Sequence, residues 1–592
     1  MPDMLDEHAP RDGNASEKES SFYIPDEEEK KQVTKLNSLF QRAKKYRERY
    51  DYAWPDYYKL FRGRQWKEQR PSYRSSEVIN IIWQSIQSSV PILTDAKPKF
   101  EFSPKEPSDR EFAELMNEVA ASDWQSKKWL YTLHEVIYDA NILGTGLSSL
   151  TFSPEENEIV YKSIDPFYFF PDPDAENLSY KCGYTCVAEP EAVEKLRAKA
   201  PSEKSHAIRT DITDFTAQNR IELSAVKYHS PSSDQLYVET SGYDNHNQQE
   251  VLVKTFYIKD ESTLDVEETD DAGQKTFIRK KKFPNGRKSV VVNDMLLYDD
   301  ETGYDDDKVY PYQLLTNYML SRQFWGISDL EALEGPQRIF NKLISYVLDT
   351  LYLTGNPIWI VDTTSGIDTD NLTNQPGLIV EKEPGSEVRR EAGVALQPYV
   401  LSLIDRLRQW FDQIAGSQDI TRGIPTAGVT AASAIENLQN AAQTRLRLKI
   451  RHMDAYLQDF GQCYVSRVLQ FYDAPRVFRL TNKDGSNKFF KMHIEKGETS
   501  HRAVVQRFSD DGMIAPGIQE FELKGKLDVV VTTASSLPFA KSEQEQRLFQ
   551  LFDRGIVDAE EVLKGLEYPN WEVIADRIKQ RTLDNQVKNT SA

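Results

Sequence analysis

Three short patterns in the sequence contain residues that could do chemistry, but each lacks a component that the chemistry requires. His134 and Glu135 begin the segment HEVIY, and the second histidine of a zinc-binding H-E-x-x-H helix is missing. The segment PDPDAEN at 171–177 alternates acids as a calcium loop does, without the glycine at position six or the acid at position twelve. The lysine of GKL at 525–527 lacks the following hydroxyl residue that holds magnesium in a phosphate-binding loop. These patterns favour ordinary core or surface residues and a polar turn.

An acidic run and three cysteines complete the search for chemistry. The run at 299–307 could hold a metal ion, but a solvated stretch of charge explains it more simply. The cysteines, Cys182, Cys186 and Cys463, are an odd and sparse set without Cys-x-x-Cys spacing, which argues against a disulfide framework. No G-x-S-x-G elbow or glycine-rich dinucleotide turn occurs. The sequence therefore predicts a protein that is not an enzyme and that binds no cofactor and no metal.

Basic residues are concentrated in one segment, RLRLKIRH at 445–452. On a helical wheel Arg445 and Lys449 flank one side of an apolar stripe, and Arg447 and Arg451 flank the other. The favoured interpretation is a charged face that pairs with acids on neighbouring helices or subunits. The alternative places Arg445 and Lys449 near the phosphates of a DNA path.

The overall charge restricts the kind of nucleic-acid contact that this chain can make. The sequence has 73 basic and 93 acidic residues, a net charge of −20. A protein whose affinity depended on neutralising phosphates would be basic. A weak, sliding or enclosing relation to DNA stays open, because repulsion also prevents sticking. No run of about eighteen apolar residues occurs, so no membrane-spanning segment is predicted.

Hydrophobic periodicity predicts an α+β fold of two to four structural units along 592 residues. Helices are expected from residue 25 to 143, with a single helix over about 107–143. Short strands rich in β-branched and aromatic residues follow over 147–310, and the acidic segment at 260–271 is expected to be a solvated loop. Helices dominate again after 310, and SDLE at 328–331 is a capping-box pattern that predicts the start of one of them. They are interrupted by an insert with the expected strands PIWIVD at 357–362 and GLIVEKE at 377–383.

The strongest periodic signal lies between Ile435 and Phe471, where apolar residues recur at an average spacing of 3.6. This spacing predicts one helix over 434–475. Before it comes TRGIPTAGVTAASAIENLQ at 421–439, whose first part is small, nearly uncharged and without a reactive group. A small loop of this kind between two clearly predicted helices indicates a mobile segment rather than a catalytic one.

Several segments in a fixed order resemble the portal protein (head–tail connector) family of tailed bacteriophages. The resemblance runs from about residue 30 to 575. It is carried by YYKLFRGRQW, NIIWQSIQSSVPILTDAKPKFEFSP, ILGTGLSSLTF, DPFYFFPDPDA, FPNGRKSVVVNDMLLYD, GISDLEALEGPQRIFNKLISYVLDTLYLTGNP, VLSLIDRLRQWFDQIAG and SSLPFAKSEQEQRLFQLFDRGIVDAEEVL.

The resemblance implies a portal fold with the following organisation. We expect a disordered acidic tail at 1–24, a wing at 25–325, a first stem helix with its lead-in at 326–356, a clip at 357–397, a second stem helix at 398–418, a tunnel loop at 419–433, a long wing helix at 434–475, and wing strands with a helical crown at 476–592.

The resemblance also implies the function and the partners. Portal proteins form a ring, usually of twelve subunits, at the unique capsid vertex of the virion, having assembled in the host cytoplasm. Double-stranded DNA enters and leaves through the ring without sequence-specific contact. The implied partners are other copies of the chain, the terminase large subunit, the major capsid and scaffolding proteins, and head–tail adaptor or tail proteins, with no membrane.

Two sets of site residues follow from this resemblance. The channel-facing tunnel loop is expected to include Arg422, Thr426, Val429 and Thr430. Contacts to terminase or adaptor are expected in the clip, at Asp362, Thr363 and Asp368.

Two other classes of function were weighed against the portal. A terminase subunit would need a phosphate-binding loop, which is absent from the sequence. A head–tail adaptor or scaffold-type virion protein without a DNA channel would be much shorter and would lack two helices flanking a clip-like insert. The portal is the favoured interpretation.

Replacing Val429 and Thr430 together with lysine tests the placement of the tunnel loop. We expect ring assembly to be unchanged and the yield of DNA-filled particles to fall, because two added cations per subunit would grip the phosphates of a moving duplex. An unchanged yield of filled particles would count against a loop on the DNA path.

Overall fold

The computed structural model of the chain describes most of its 592 residues. These are 23, 25–67, 70, 71, 74–94, 100–104, 107–211, 250–269, 275–283, 285–300, 310–355, 358–372, 379, 381, 383–391, 396–416, 444–481, 487–497, 501–508, 518–523, 527–531, 547–566, 574 and 577. The predicted acidic tail apart from residue 23, the predicted strands at 212–249 and the whole predicted tunnel loop lie outside them.

The helices form an amino-terminal group, a central hairpin and one long helix. They are α1 (Glu27–Asp51), α2 (Ala53–Phe61), α3 (Ile81–Thr94), α4 (Arg110–Ser126), α5 (Trp129–Leu143), α6 (Val193–Lys199), α7 (Ser202–Ser205), α8 (Asp329–Gly355), α9 (Pro398–Ala415), α10 (Thr444–Phe471) and α11 (Ala559–Gly565).

The strands pair antiparallel in several small sheets, which confirms the predicted α+β class. They are β1 (Phe100–Pro104), β2 (Thr145–Ser153), β3 (Glu158–Ile164), β4 (Phe169–Pro171), β5 (Tyr184–Ala192), β6 (Glu250–Ile258), β7 (Thr263–Thr269), β8 (Lys275–Lys281), β9 (Arg287–Val292), β10 (Met295–Asp300), β11 (Tyr312–Thr316), β12 (Ile358–Val361), β13 (Val388–Glu391), β14 (Arg476–Thr481), β15 (Asn487–Lys496), β16 (His501–Arg507), β17 (Gln519–Leu523) and β18 (Leu527–Val531).

Three of these sheets have more than two strands. Their strand orders are β10-β9-β6-β5-β4, β11-β2-β3 and β14-β15-β16-β17. Two-stranded pairs join β1 with β18, β7 with β8, and β12 with β13.

Helix α10 connects the two largest hydrophobic cores. Met453, Tyr456 and Leu457 belong to a core shared with α2, α3, α5, α8 and α9. From Phe460 to Val468 the same helix packs into a second core, with α4, β1 and the four-stranded sheet. The 3.6-residue apolar stripe predicted from the sequence therefore holds two parts of the molecule together.

The structure corrects two predictions in the amino-terminal half. The single helix expected over 107–143 is divided into α4 and α5, because Lys128 takes a left-handed conformation with φ 54°. The acidic segment expected to be a loop contains β7, whose Asp265 lies opposite Arg279 of β8 in the strand register. Acids on a two-stranded ribbon are compatible with a strand when basic residues lie across from them.

A third correction concerns the insert between α8 and α9. The strand expected at 357–362 is present over Ile358–Val361 as β12, but its partner is β13. The described residues of the expected strand GLIVEKE, Ile379, Glu381 and Glu383, are not in a strand. The β16 and β17 strands were not predicted from the sequence.

Helix α1 is attached to the five-stranded sheet through a buried arginine. The guanidinium of Arg47 donates to the carbonyl oxygens of Pro166 (3.2 Å), Phe167 and Phe169 (3.1 Å), and stacks 3.8 Å above the ring of Phe170. It also pairs with Asp51 at 3.0 Å, and the two side chains are only 5% and 16% exposed. Burial lowers the pKa of Arg47, and the Asp51 carboxylate opposes that shift.

Replacing Arg47 with methionine should lower the free energy of unfolding by about 3–5 kcal/mol, since it leaves the half-enclosed Asp51 charge and three carbonyl oxygens without their donor. Chemical denaturation of the full-length chain measures this loss. Arg42→Met on the same helix is the control, because Arg42 pairs with Asp174 at the surface (53% and 72% exposed) and should cost less than about 1 kcal/mol. Equal losses in both variants would refute the buried anchor.

Candidate subunit interface

Helix α8 begins at a tightly packed joint. Ser328, the first residue of the predicted capping box SDLE, accepts a hydrogen bond from the Leu330 amide (3.0 Å) and donates to the carbonyl oxygen of Ile142 (2.5 Å). Beside it Gly144, with φ +92°, packs against Gly326 so closely that an added Cβ would lie 2.3 Å from the Gly326 carbonyl oxygen. The start of α8 is thereby fixed to the end of α5 with no room for a side chain.

A row of polar side chains on α8 binds the backbone of the segment between α2 and α3. Gln337, which is fully buried, accepts from the amides of Ile81 (3.1 Å) and Ile82 (3.3 Å) and donates to the carbonyl oxygen of Ile79 (2.8 Å). Asn341, one turn further, donates to the Gln65 side chain (2.5 Å). The bonds from Gln337 give the first amides of α3 an acceptor, which the first turn of a helix cannot supply for itself.

The same segment reaches further along α8. The Asp349 carboxylate accepts from the amide of Ser75 (2.6 Å) and lies 3.9 Å from the guanidinium of Arg70. One face of α8 is thus occupied by its own subunit along three turns.

Another face of α8 is apolar and exposed. Ile339, Tyr346 and Leu353 recur every seven residues and are 50%, 55% and 60% exposed. Residues seven apart share one side of a helix, with only a small angular drift, and such a repeat is typical of helix-to-helix contact. We call these three residues the α8 stripe.

Helix α9 packs against α8 and carries apolar residues on two sides. Leu407 and Phe411 face the common core. The other side presents Tyr399, Leu403, Trp410 and Ile414, which are 37–64% exposed and separated by four, seven and four residues. We call these four residues the α9 stripe. A helix with two apolar sides needs two partners, and the described part of the chain covers only one of these sides.

The strands between the two helices place the predicted clip residues at the surface. Ile358 and Ile360 of β12 are 68% and 42% exposed. Asp362 is exposed, and its carboxylate accepts from the amide of Glu387 (2.8 Å), which closes the end of the strand pair. Thr363 and Asp368 are also exposed, and Asp368 caps a short 3₁₀ turn through the amide of Asp370.

The other predicted site residues divide between undescribed and buried positions. Arg422, Thr426, Val429 and Thr430 lie outside the described residues. The backbone of Arg445 lies in α10, but its side chain is outside the described part. Lys449 is 7% exposed and its ammonium lies 2.6 Å from the Asp329 carboxylate. This burial argues against direct DNA contact by Lys449 and agrees with the favoured interpretation of an ion pair with a neighbouring helix.

The patterns that suggested metal binding are explained by local hydrogen bonds. In PDPDAEN, Asp172 accepts from the amides of Gly183 (3.1 Å) and Asp174 (3.2 Å), as in a polar turn. Asp299 was expected in a solvated loop, but it lies on β10 and is only partly exposed. Hydrogen bonds from Arg287, Gln32 and Ser289 outweigh its burial and lower the pKa of Asp299.

A cleft of about 430 Å³ between α5, β3 and β5 contains four carboxylates. Glu135 accepts from the hydroxyl of Ser163 (2.5 Å) and Asp139 from that of Tyr58 (2.7 Å), while Asp165 accepts from the amide of Phe167 (3.1 Å). Three of the four carboxylates, those of Glu135, Asp139 and Asp165, therefore accept hydrogen bonds from neighbouring residues of the fold. Within the described residues no group of three or more metal-ligating side chains occurs.

The comparison with known families gives the identity of the fold. The described chain is a mixed α+β fold whose two paired helices carry exposed apolar stripes. The sequence model of the phage P22-like portal protein family matches residues 39–591, nearly the whole chain. The chain therefore belongs to the phage P22-like portal protein family, which confirms the resemblance found in the sequence. A search of curated proteins found no match.

Membership of this family settles the broad class of function. The protein is a phage portal protein, a structural component of the capsid vertex in a non-enzymatic family. In the part of the chain that the structure describes, no helix is long and apolar enough to cross a membrane.

A carboxylate on α10 generates a prediction of pH dependence. One oxygen of Asp454, Oδ1, is buried and has no hydrogen-bond partner, and burial raises the pKa of Asp454 from 3.8 to about 6. Between these two pH values the native state holds a proton that the unfolded state has released, so this group's contribution to stability falls as the pH rises.

Replacing Asp454 with asparagine should therefore raise the melting temperature at pH 8, and the gain should disappear as the pH falls towards 4. Melting temperatures of both proteins across this range test the prediction. Asp405→Asn, an exposed position on α9, is the matched control and should show no such trend. A gain that is constant with pH would contradict an effect of titration.

Proposed function

We propose that the protein forms a closed homo-oligomeric ring at the unique capsid vertex and that double-stranded DNA passes through its channel during packaging and ejection. The observation that supports this most is the pair of exposed apolar stripes on α8 and α9. A chain that remained a monomer would leave ten large apolar side chains exposed along one helical hairpin, the seven of the two stripes together with Leu351, Tyr352 and Leu401. Such patches mark sites of association.

The two stripes fit a heterologous contact. In a ring, each subunit uses two different faces, one towards each neighbour. The α8 stripe of one subunit would pack against the α9 stripe of the next, with the heptad spacing of Ile339, Tyr346 and Leu353 placing side chains between those of the facing helix. Each large apolar side chain that is fully covered contributes about 1.5–3 kcal/mol.

The proposed assignments follow the order of the chain. Helices α8 and α9 are the stem, the strand pair β12–β13 with its loops is the clip, and α10 is the long wing helix. The tunnel loop expected at 419–433 falls between α9 and α10, in residues that the structure does not describe, and is proposed to face the DNA. The net charge of −20 supports a channel that binds DNA only weakly, since electrostatic repulsion keeps a duplex mobile.

The exposed clip is proposed as the docking surface for the terminase large subunit and later for adaptor or tail proteins. Asp362 is held rigid by the Glu387 amide, while Thr363 beside it is exposed. With Asp368 these residues present acidic and hydroxyl groups at the end of the stem. The major capsid and scaffolding proteins are proposed to contact the wing.

Replacing Ile339 and Tyr346 together with lysine tests the ring. Each buried ammonium would cost several kcal/mol at a covered interface and almost nothing at an exposed site. We expect the subunit to fold with an unchanged melting temperature and to stay monomeric, whereas the wild type forms a ring of about twelve subunits with an axial hole. Native mass measurement and negative-stain imaging, with scaffolding and capsid partners added, provide the readout.

Val477→Lys is the matched control, because Val477 is an equally exposed apolar residue (62%) on β14, outside the stem. This variant should still form rings. If the double-lysine variant forms rings normally, the proposed contact between the α8 stripe and the α9 stripe is refuted. A wild type that stays a monomer or dimer with all partners present would instead favour an adaptor that encloses no DNA.

A further inference from the structure

The two helices that border residues 417–443, α9 and α10, both contact α8. On one side, α9 ends at Ala415 after Leu407 and Phe411 have packed into the core that contains Phe340 of α8. On the other side, α10 starts at Thr444 and reaches α8 through a charged group. The two attachments differ in kind, because the first is apolar and the second is ionic.

The ionic attachment is made by Lys449. Its ammonium lies 2.6 Å from the Asp329 carboxylate in the first turn of α8, and 2.9 Å from the side-chain oxygen of Asn141 near the end of α5. The ring of Tyr318 lies 5.0 Å from the same ammonium. One side chain thereby joins α10, α8 and α5, at the joint where Ser328 and Gly144 already fix α8 to α5.

The position of Lys449 along α10 gives this contact its importance. Arg447 and Leu448, which precede it, are exposed, and Lys449 is the first side chain of α10 that the structure describes as buried. After it, Ile450 is partly buried and continuous apolar burial begins at Met453. Among the described side chains of α10, this ion pair is therefore the first buried contact, ahead of the apolar packing that begins at Ile450.

We propose that Lys449 is a positioning residue that fixes the first turns of α10 against the first turn of α8. This inference rests on the proposed function, in which the residues that precede α10 face the DNA. A force transmitted to α10 from those residues would then act on the ion pair and on the joint of α8 and α5. A buried ion pair is suited to positioning a helix, because its two groups meet in a defined geometry and because leaving either charge buried without its partner costs free energy.

Hydrogen exchange of the full-length chain tests the anchor. In Lys449→Met we expect the amides of residues 444–450 to exchange about tenfold faster or more, a change that reports local opening of that end of the helix. In Lys449→Arg, which keeps the charge, the rates should remain close to those of the wild type. Asp329→Asn, a milder change that preserves shape, should show the same acceleration if Lys449→Met does not fold.

Arg47→Met is the matched control for general destabilisation. The Arg47–Asp51 pair is buried at least as deeply as Lys449–Asp329, at 5% and 16% against 7% and 16% exposed, but it lies on α1. Loss of the Arg47–Asp51 pair should destabilise the whole protein without a selective increase in amide exchange at residues 444–450. Equal acceleration in both variants, or none in Lys449→Met and Asp329→Asn, would overturn the proposal.

The yield and DNA content of particles provide the second readout. Lys449→Met rings should assemble with the wild-type number of subunits and package or retain less DNA, while Lys449→Arg should restore the yield. Normal DNA content together with faster exchange would overturn the link between the anchor and the role of the residues that precede α10. Failure of the wild-type chain to form rings would overturn the proposed function instead, so the two failures are distinguishable.

Discussion

Helix α10 has to satisfy two hydrophobic cores at once, and most of the fold depends on this constraint. Its stripe places Met453, Tyr456 and Leu457 in the core of the helical hairpin, and Phe460 to Val468 in the core of the four-stranded sheet. A one-residue shift of the helix would rotate the stripe by about 100° and remove the side chains of α10 from both cores. The register of α10 therefore determines where its first turns lie relative to α8.

Polar contacts add direction to the apolar packing that holds α8 in the common core. Gln337, Asn341 and Asp349 bind the segment between α2 and α3, and Asp329 binds Lys449. Gln337 and Asn341 lie on the side of the helix that faces away from the α8 stripe. The α8 stripe and the α9 stripe are left exposed by the described part of the chain, and their best cover is another copy of the same chain.

Local patterns in the sequence predicted the elements well wherever one interaction dominates. The 3.6-residue stripe predicted α10, the SDLE box predicted the cap at Ser328, and the order of the segments identified the family. The break at Lys128 was missed, because a left-handed residue other than glycine leaves no compositional signal. The pairing of β12 with β13 was missed because GLIVEKE has a higher strand propensity than VRRE, and contacts outweigh propensity for short strands. A helical wheel placed Lys449 beside the apolar stripe, but it could not show that Asp329 and Asn141 lie across from it.

A near-atomic image of the assembled protein tests most directly whether the exposed stripes are the contacts between subunits. A closed ring predicts that Ile339, Tyr346 and Leu353 of one subunit are covered by Tyr399, Leu403, Trp410 and Ile414 of its neighbour, and that the segment at 417–443 points towards the axis. Stripes that remain exposed to solvent or line the channel, in a ring held together by other surfaces, would contradict it.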